Sequence, residues 1–268
     1  MPKTGLTIVA IMYTEVGFAL SMSYYVDTHC HLDLFPGIRT GVAVEDSLPI
    51  KTITVTNTPT LWAPNTKLFK ECRNIRVALG LHPELASQRA HEMNKFRAAC
   101  AEAKYIGEIG LDGTSTDETE RRTQLAVFRN VLSAIKQQEP KILTVHSRGA
   151  ARETITELIQ AVRGTQHQVI LHWYSGGLDE LRQALAAGFY FSVNHKMVAS
   201  RNGQQLIQAL PKTAILTETD APFTYTATVT TRQQSLLKTT AGLAQQWNCE
   251  FEEAKLCVWE QFGRMVRA

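Results

Sequence analysis

The chain has 268 residues, of which 44% are hydrophobic and 20% are charged, and this composition excludes an intrinsically disordered protein. The 28 basic and 25 acidic side chains leave a net charge of +3, which is too small to indicate a dedicated nucleic-acid-binding protein. The five cysteines form no C-x-x-C pair, which argues against a zinc ribbon or a disulfide framework and favours a reducing, cytoplasmic location.

The first 22 residues differ in character from the rest of the chain. Residues 5–22 are mostly apolar, which resembles a signal peptide or a membrane span. However, Glu15 interrupts the apolar run, and no small-residue cleavage site follows it. We therefore predict no membrane association, a disordered or loosely packed extension over residues 1–22, and Met22 as a possible alternative start. A single domain is expected over residues 23–268.

Short β-rich apolar segments alternate with helix-length sequence along this domain. Eight such segments are candidate strands: Tyr24–Val26, Thr52–Val55, Arg76–Leu79, Tyr105–Glu108, Ile142–Val145, Val169–Leu171, Phe189–Val193 and Ala214–Thr217. Strands that alternate with helices indicate a parallel sheet, and eight is the number that closes a barrel. The sequence therefore predicts an α/β protein with a single (β/α)8 barrel of the TIM type.

The predicted helices differ in clarity. Leu125, Phe128 and Leu132 recur at helical spacing after the fourth strand. Arg232–Gln246 and Phe251–Val266 are predicted helices after the eighth strand. The helix after the second strand is the least certain of the set, because Pro59 and Pro64 interrupt it.

Histidines and carboxylates recur where the predicted strands end, and in a barrel this edge carries the active site. In extended chain, Asp27, His29, His31 and Asp33 share one face. Five further residues end other strands: His82, Glu108, His146, His172 and Asp220. Imidazoles and carboxylates without thiolates suit two divalent ions, Zn²⁺, Mn²⁺ or Mg²⁺, bridged by a carboxylate.

The remaining polar candidates receive weaker roles. His91 and His167 are interpreted as surface residues, and the role of His195 stays open. Asp27, Asp33 and Asp112 are expected to orient imidazoles or cap loops rather than bind metal. Arg148 and Trp173 follow strand ends, where a guanidinium holds phosphate and an indole stacks on a nucleobase.

Six motifs stand in one order between Tyr24 and Phe223: D-x-H-x-H-L-D, G-x-H-P, G-E-I-G-L-D, H-S-R, H-x-x-S-G and T-E-T-D-A-P. Together they resemble the TatD family of metal-dependent deoxyribonucleases within the amidohydrolase superfamily. This resemblance assigns His29, His31 and Asp220 to one metal ion, His146 and His172 to a second, and Glu108 to the bridge between them. It also implies that Asp220 activates the attacking water, with Glu108 as the other catalytic carboxylate, and that His82 lies near the substrate.

Two departures from the family pattern affect substrate preference. Thr224–Thr231 stands where the family usually carries an Arg-Asn-Glu-Pro-like motif, and Glu84 stands where a further histidine is common. These departures also resemble the TatD-like component (QatD) of Qat anti-phage cassettes. That narrower resemblance implies an ATPase and a QueC-like protein as partners.

The predicted function is hydrolysis of phosphodiester bonds in DNA, single-stranded or with free ends, by metal-activated water. One alternative is an amidohydrolase that acts on a small molecule. Many such enzymes bridge their metals with a carboxylated lysine on the fourth strand, whereas this strand ends at Glu108 and has Lys104 at its start. The other alternative is a subunit of a defence complex that acts only with its partners.

Overall fold

The fold is a parallel eight-stranded barrel, as the sequence predicts. A computed structural model describes residues 23–268, so the predicted extension over residues 1–22 lies outside the described residues. The strands follow the chain order around the sheet. Their bounds are β1 Tyr25–Cys30, β2 Ile50–Thr54, β3 Ile75–Leu79, β4 Tyr105–Gly110, β5 Ile142–His146, β6 Gln168–His172, β7 Tyr190–Val193 and β8 Ile215–Thr217.

Threonine side chains join the first and last strands. Thr28 donates its hydroxyl to the carbonyl of Thr217 at 3.1 Å, and Thr217 donates to the carbonyl of Val26 at 2.5 Å. Beyond the strand ends, the amide of Asp220 donates to the carbonyl of His29 at 2.8 Å. These bonds satisfy polar groups of both strands where the barrel closes.

Helices cover the outside of the barrel. Their bounds are α1 Ile38–Ser47, α2 Pro59–Leu68, α3 Ala86–Arg89, α4 Met93–Cys100, α5 Glu118–Ile135, α6 Ala151–Val162, α7 Leu178–Ala186, α8 His195–Ala199, α9 Arg201–Ala209, α10 Arg232–Trp247 and α11 Phe251–Arg267. None of the helices formed by residues 23–268 combines the length and apolar character needed to cross a bilayer.

The helix α2 forms despite its two prolines. Pro59 is its first residue, where the missing amide has no partner within the helix in any case. Pro64 lies inside the helix and removes one hydrogen bond. The two prolines therefore do not prevent this helix, although they make it the least certain one to predict from the sequence. Pro59 stands at the position of a helix where proline is best tolerated.

The interior of the barrel has an apolar end and a polar end. Ile142 and Ile170 belong to a buried cluster that also contains Met265 of α11. His146 and His172 end the same two strands, at an even spacing from these isoleucines, and so share their face of the sheet. Apolar packing thus fills one end of the interior, and the histidines occupy the other.

The face of α5 that packs on the barrel is an important source of stability. Phe128 is 1% exposed in the main apolar cluster, so truncation to alanine leaves a cavity. We expect Phe128→Ala to lower the free energy of unfolding by about 3–5 kcal/mol, measured by urea denaturation. Leu178→Ala, at a residue 41% exposed, is the control and should change it by less than about 0.5 kcal/mol. Equal effects of the two substitutions would contradict this packing.

Candidate metal centre

The end of β1 brings two histidines into the barrel interior. The pairing of β1 with β2 shifts register between Asp27 and Cys30, so three steps along β1 match two along β2. This bulge reverses the alternation, and Asp27 therefore does not share a face with His29 and His31, contrary to the sequence-based expectation. Asp33 lies beyond the strand and accepts a hydrogen bond from Asn65 at 3.0 Å.

The carboxylate of Glu108, at the end of β4, lies at the centre of the site. The side chain is 2% exposed, and five imidazoles approach its two oxygens. Oε1 lies 2.9 Å from His146 Nδ1, 3.0 Å from His172 Nε2 and 3.2 Å from His82 Nε2, and Oε2 lies 3.4 Å from Nε2 of both His29 and His31. One carboxylate thus contacts imidazoles from four different strand ends.

Asp220 supplies the second carboxylate, from the loop after β8. Its Oδ1 lies 3.4 Å from His31 Nε2 and 3.9 Å from His29 Nε2. The backbone of Asp220 has φ +48°, in the left-handed region that non-glycine residues seldom adopt. Such backbone strain is typical of functional sites.

The donor set fits divalent cations. Nδ1 of His29 pairs with the hydroxyl of Thr144 at 2.7 Å, whereas its Nε2 is buried without a hydrogen-bond partner and faces Glu108 and Asp220. Ligand atoms lie within 4.8 Å of one another in three groups: His29, His172 and Asp220; His29, His31 and Glu108; and His82, Glu108 and His146. An unpaired buried nitrogen beside two carboxylates is the environment that a cation completes.

Two further carboxylates lie beside the histidines. Oδ2 of Asp112 lies 2.7 Å from His146 Nε2, which agrees with the orienting role expected for this aspartate. Oε2 of Glu218 lies 3.7 Å from His172 Nδ1, and Glu218 itself accepts hydrogen bonds from Ser192 and from Asn194, the latter at 2.9 Å. Glu218 is not among the residues predicted from the sequence, although its place two residues before Asp220 is a usable signal.

Burial and charge together shift the ionisation of the centre. Burial opposes ionisation of Glu108, but the facing imidazoles of His82 and His29 outweigh it and hold the pKa of Glu108 well below its ordinary value. Burial, with the charge of the neighbouring His172, lowers the pKa of His29 to about 3. At neutral pH Glu108 is therefore anionic and His29 is neutral, the forms in which these two groups bind metal. Against the effect of burial, the charge of Glu108 raises the pKa of His172 well above its ordinary value.

The centre opens into a cleft of about 530 Å³ lined by His82, Arg148, Trp173 and Phe223, together with Glu84. His82, expected near the substrate, also contacts Glu108, so the structure adds it to the possible metal ligands. Phe223 is 57% exposed and meets the ring of His31 edge-on at 5.0 Å, but the sequence analysis does not single it out.

The other histidines lie outside this centre. His91 is exposed, as expected. His167 is 8% exposed, so its interpretation as a surface residue is wrong: its ring bonds to the amide of Lys141 at 3.1 Å and to the carbonyl of Ile135 at 2.9 Å. His195 is buried, and its Nδ1 pairs with the hydroxyl of Ser235 at 2.8 Å.

Comparisons with known proteins place the chain in a family. A family model described as "TatD related DNase" matches residues 26–267. YcfH of Escherichia coli, described as an uncharacterized metal-dependent hydrolase, is 28% identical over 212 residues that cover 75% of this chain and 78% of YcfH. The human deoxyribonuclease TATDN3 is 35% identical over 123 residues, which cover 44% of this chain and 42% of that protein.

Solved structures support the fold. The crystal structure of YJJV, a TatD homologue from Escherichia coli, superposes with a TM-score of 0.79 at 20% identity. The superposition covers 92% of this chain and 99% of YJJV. At 20% identity, this similarity supports the barrel fold alone.

The central position of Glu108 makes metal content a direct test. Glu108→Gln keeps the size of the side chain but removes the anion that faces five imidazoles. We expect the purified variant to hold less than half the metal of the unaltered protein by elemental analysis, with an unchanged circular dichroism spectrum. Glu118→Gln, at an exposed ion pair with Arg122, is the matched control and should keep its full metal content. Full metal content in Glu108→Gln would contradict the bridging role.

Proposed function

The chain belongs to the TatD-related DNase family of metal-dependent hydrolases, and from that premise we propose that it is a deoxyribonuclease that hydrolyses phosphodiester bonds. The observation that carries the proposal is the position of Glu108, whose two oxygens face His29 and His31 on one side and His146 and His172 on the other. A carboxylate between two histidine sets suits a bridged pair of divalent ions.

The ligand assignment follows the family resemblance. The family resemblance gives His29, His31 and Asp220 to one ion and His146 and His172 to the other, with Glu108 shared between them. The contacts of Glu108 with all four histidines support a shared role for this carboxylate, although His172 also lies in one group with His29 and Asp220. His82 is an additional candidate for the second ion because it lies in one group with Glu108 and His146. Zn²⁺, Mn²⁺ and Mg²⁺ all suit this set of nitrogen and oxygen donors. When bound, such ions supply positive charge that stabilises phosphate oxygens and makes water more acidic.

Asp220 is the proposed proton acceptor. It lines the cleft, and its Oδ1 lies beside His29 and His31. A carboxylate at this position would take a proton from the attacking water as the water oxygen bonds to phosphorus, while the bond from phosphorus to one ester oxygen of the DNA breaks and that oxygen leaves. Glu218 lies behind His172, with Oε2 3.7 Å from His172 Nδ1.

The cleft suits a polynucleotide with unpaired bases. Arg148 offers a guanidinium for phosphate oxygens, and Trp173 and Phe223 offer aromatic surface to a base. The ammonium group of Lys196 lies 5.6 Å from the centre of the Trp173 ring, which places a positive charge beside this surface. Stacking needs an unpaired base, and these side chains therefore favour single-stranded DNA or DNA ends.

The residues at the two ends of β4 bear on the alternative that the protein is an amidohydrolase acting on a small molecule. Lys104 donates its ammonium group to the carbonyl of Val266 near the end of α11, just before β4 begins. Glu108, at the other end of β4, occupies the place between the histidines. This arrangement favours the nuclease over an amidohydrolase bridged by a carboxylated lysine, and hydrolysis of cyclic amides without any cleavage of DNA would reverse that preference.

The possible role in a Qat anti-phage system stays a prediction. It rests on Glu84, which lines the cleft, and on Thr224–Thr231, which follows Phe223 and contains a tight turn closed between Thr226 and Val229. If the protein acts only with partners, the purified chain should bind metal but cleave DNA only after addition of the ATPase and the QueC-like protein. Full activity of the chain alone would exclude this dependence.

The role of Asp220 is tested by kinetics at saturating Mn²⁺. We expect Asp220→Asn to lower kcat on a single-stranded oligonucleotide by about 10²–10⁴-fold, because the amide cannot accept the proton. Asp179→Asn, at an exposed ion pair with Arg182, is the control and should leave kcat unchanged. A wild-type kcat in Asp220→Asn would rule out the proposed proton transfer.

The contribution of base stacking is tested by binding without cleavage. In Ca²⁺, we expect Phe223→Ala to raise the Kd for a single-stranded oligonucleotide about 5–150-fold, the equivalent of about 1–3 kcal/mol of stacking. Leu237→Ala is the matched control, since Leu237 is also an exposed apolar side chain (49%) but lies on α10 and does not line the cleft. An unchanged Kd in Phe223→Ala would show that this ring does not hold the substrate.

A further inference from the structure

Asp27 lies outside the metal centre but is fully buried, and its carboxylate has several donors. Oδ1 accepts the backbone amide of Thr219 at 2.8 Å. Oδ2 accepts one hydrogen bond from the hydroxyl of Thr219 at 2.8 Å and another from Nε of Arg232 at 2.9 Å. Asp27 thus holds one residue, Thr219, by both its backbone and its side chain, across 192 positions of sequence.

Arg232, the first residue of α10, balances this buried charge. It is 2% exposed, and besides Asp27 it binds Oε2 of Glu45 at 2.8 Å and the hydroxyl of Thr52. The guanidinium therefore joins α10 to β1, β2 and α1 through fixed hydrogen bonds. A buried ion pair of this kind is costly to break, since removal of one partner leaves the other charged and unpaired.

Thr219 is directly followed by Asp220, and this segment is fastened to β1 on both sides. The amide of Asp220 donates to the carbonyl of His29, and the amide of His31 donates to the carbonyl of Ala221, both at 2.8 Å. The backbone of Asp220 is held in the left-handed region, a conformation that persists only where the surroundings fix it. The hydrogen bonds that Thr219 donates to Asp27 help to hold the backbone of Asp220 in this conformation.

We propose that Asp27 and Arg232 are positioning residues: their buried ion pair holds Thr219 and thereby aims the Asp220 carboxylate at His29 and His31. The inference rests on the proposed metal centre. It also explains why an aspartate of the D-x-H-x-H segment faces away from the histidines, because the bulge in β1 turns Asp27 toward Arg232 while His29 and His31 face the interior.

Thr219 offers the cleanest test because its substitutions leave both charges in place. Thr219→Val keeps the shape of the side chain but loses the hydroxyl that Asp27 binds, and Thr219→Ser keeps that hydroxyl. We expect Thr219→Val to weaken binding of one of two Mn²⁺ ions about 10–100-fold by isothermal titration calorimetry, with binding of the other ion unchanged. Thr219→Ser should restore both affinities to within a few-fold of wild type.

Glu45→Gln separates positioning from general stability. It removes the other carboxylate partner of Arg232 but does not contact Thr219. We expect this variant to have a lower Tm and unchanged Mn²⁺ affinities. Equal Mn²⁺ binding in Thr219→Val and wild type would overturn the positioning role, as would equal weakening in Thr219→Val and Glu45→Gln. Failure of the wild-type protein to bind Mn²⁺ would instead refute the metal centre itself and the inference with it.

Discussion

The structure of the site depends on one buried anion. Glu108 is almost fully enclosed, yet five imidazoles approach its two oxygens within 3.4 Å. Removing a carboxylate from water costs several kcal/mol, and nearby partners must offset that cost. Here the partners are histidines at the ends of β1, β5 and β6 and in the loop after β3. The carboxylate of Glu108 therefore contacts side chains from several separate strands and holds them in one site. The barrel supplies the geometry, because the carboxyl ends of its parallel strands meet around a single opening.

The surroundings of the histidines show that orientation matters as much as position. Thr144 fixes His29, Asp112 contacts His146, and Glu218 lies behind His172. Thr144 and Asp112 pair with the ring nitrogen opposite the one that faces Glu108, which limits the rotation of these two rings. Glu218 lies 3.7 Å from the corresponding nitrogen of His172. The side chain of Asp220 contacts the two histidines themselves, and its direction depends on its own strained backbone and on the hydrogen bonds that hold Thr219.

Much of this arrangement follows from the sequence because it depends on local rules. Alternation of β-rich and helical segments predicts the barrel, and the position of His146 or His172 at a strand end predicts that it faces the common opening. The resemblance to the TatD family then orders these residues into a ligand set. The ligand roles remain predictions, whereas the family and the barrel are established by the family match and the fold.

The features that the sequence analysis misses are tertiary. The bulge that turns Asp27 away from His29 arises from pairing with β2, and strand periodicity alone carries no sign of it. His167 is buried because its ring joins Lys141 to Ile135, which lie 26 and 32 positions away. The contact of His82 with Glu108 and the exposure of Phe223 at the cleft likewise depend on the conformations of the loops after β3 and β8.

The most direct test is a crystal structure of the protein grown with Mn²⁺ and measured at a wavelength where manganese scatters anomalously. The account predicts two anomalous peaks on opposite sides of the Glu108 carboxylate, one beside His29, His31 and Asp220 and the other beside His146 and His172. Peaks elsewhere, or histidines that turn away from Glu108 with no ion between them, would contradict it.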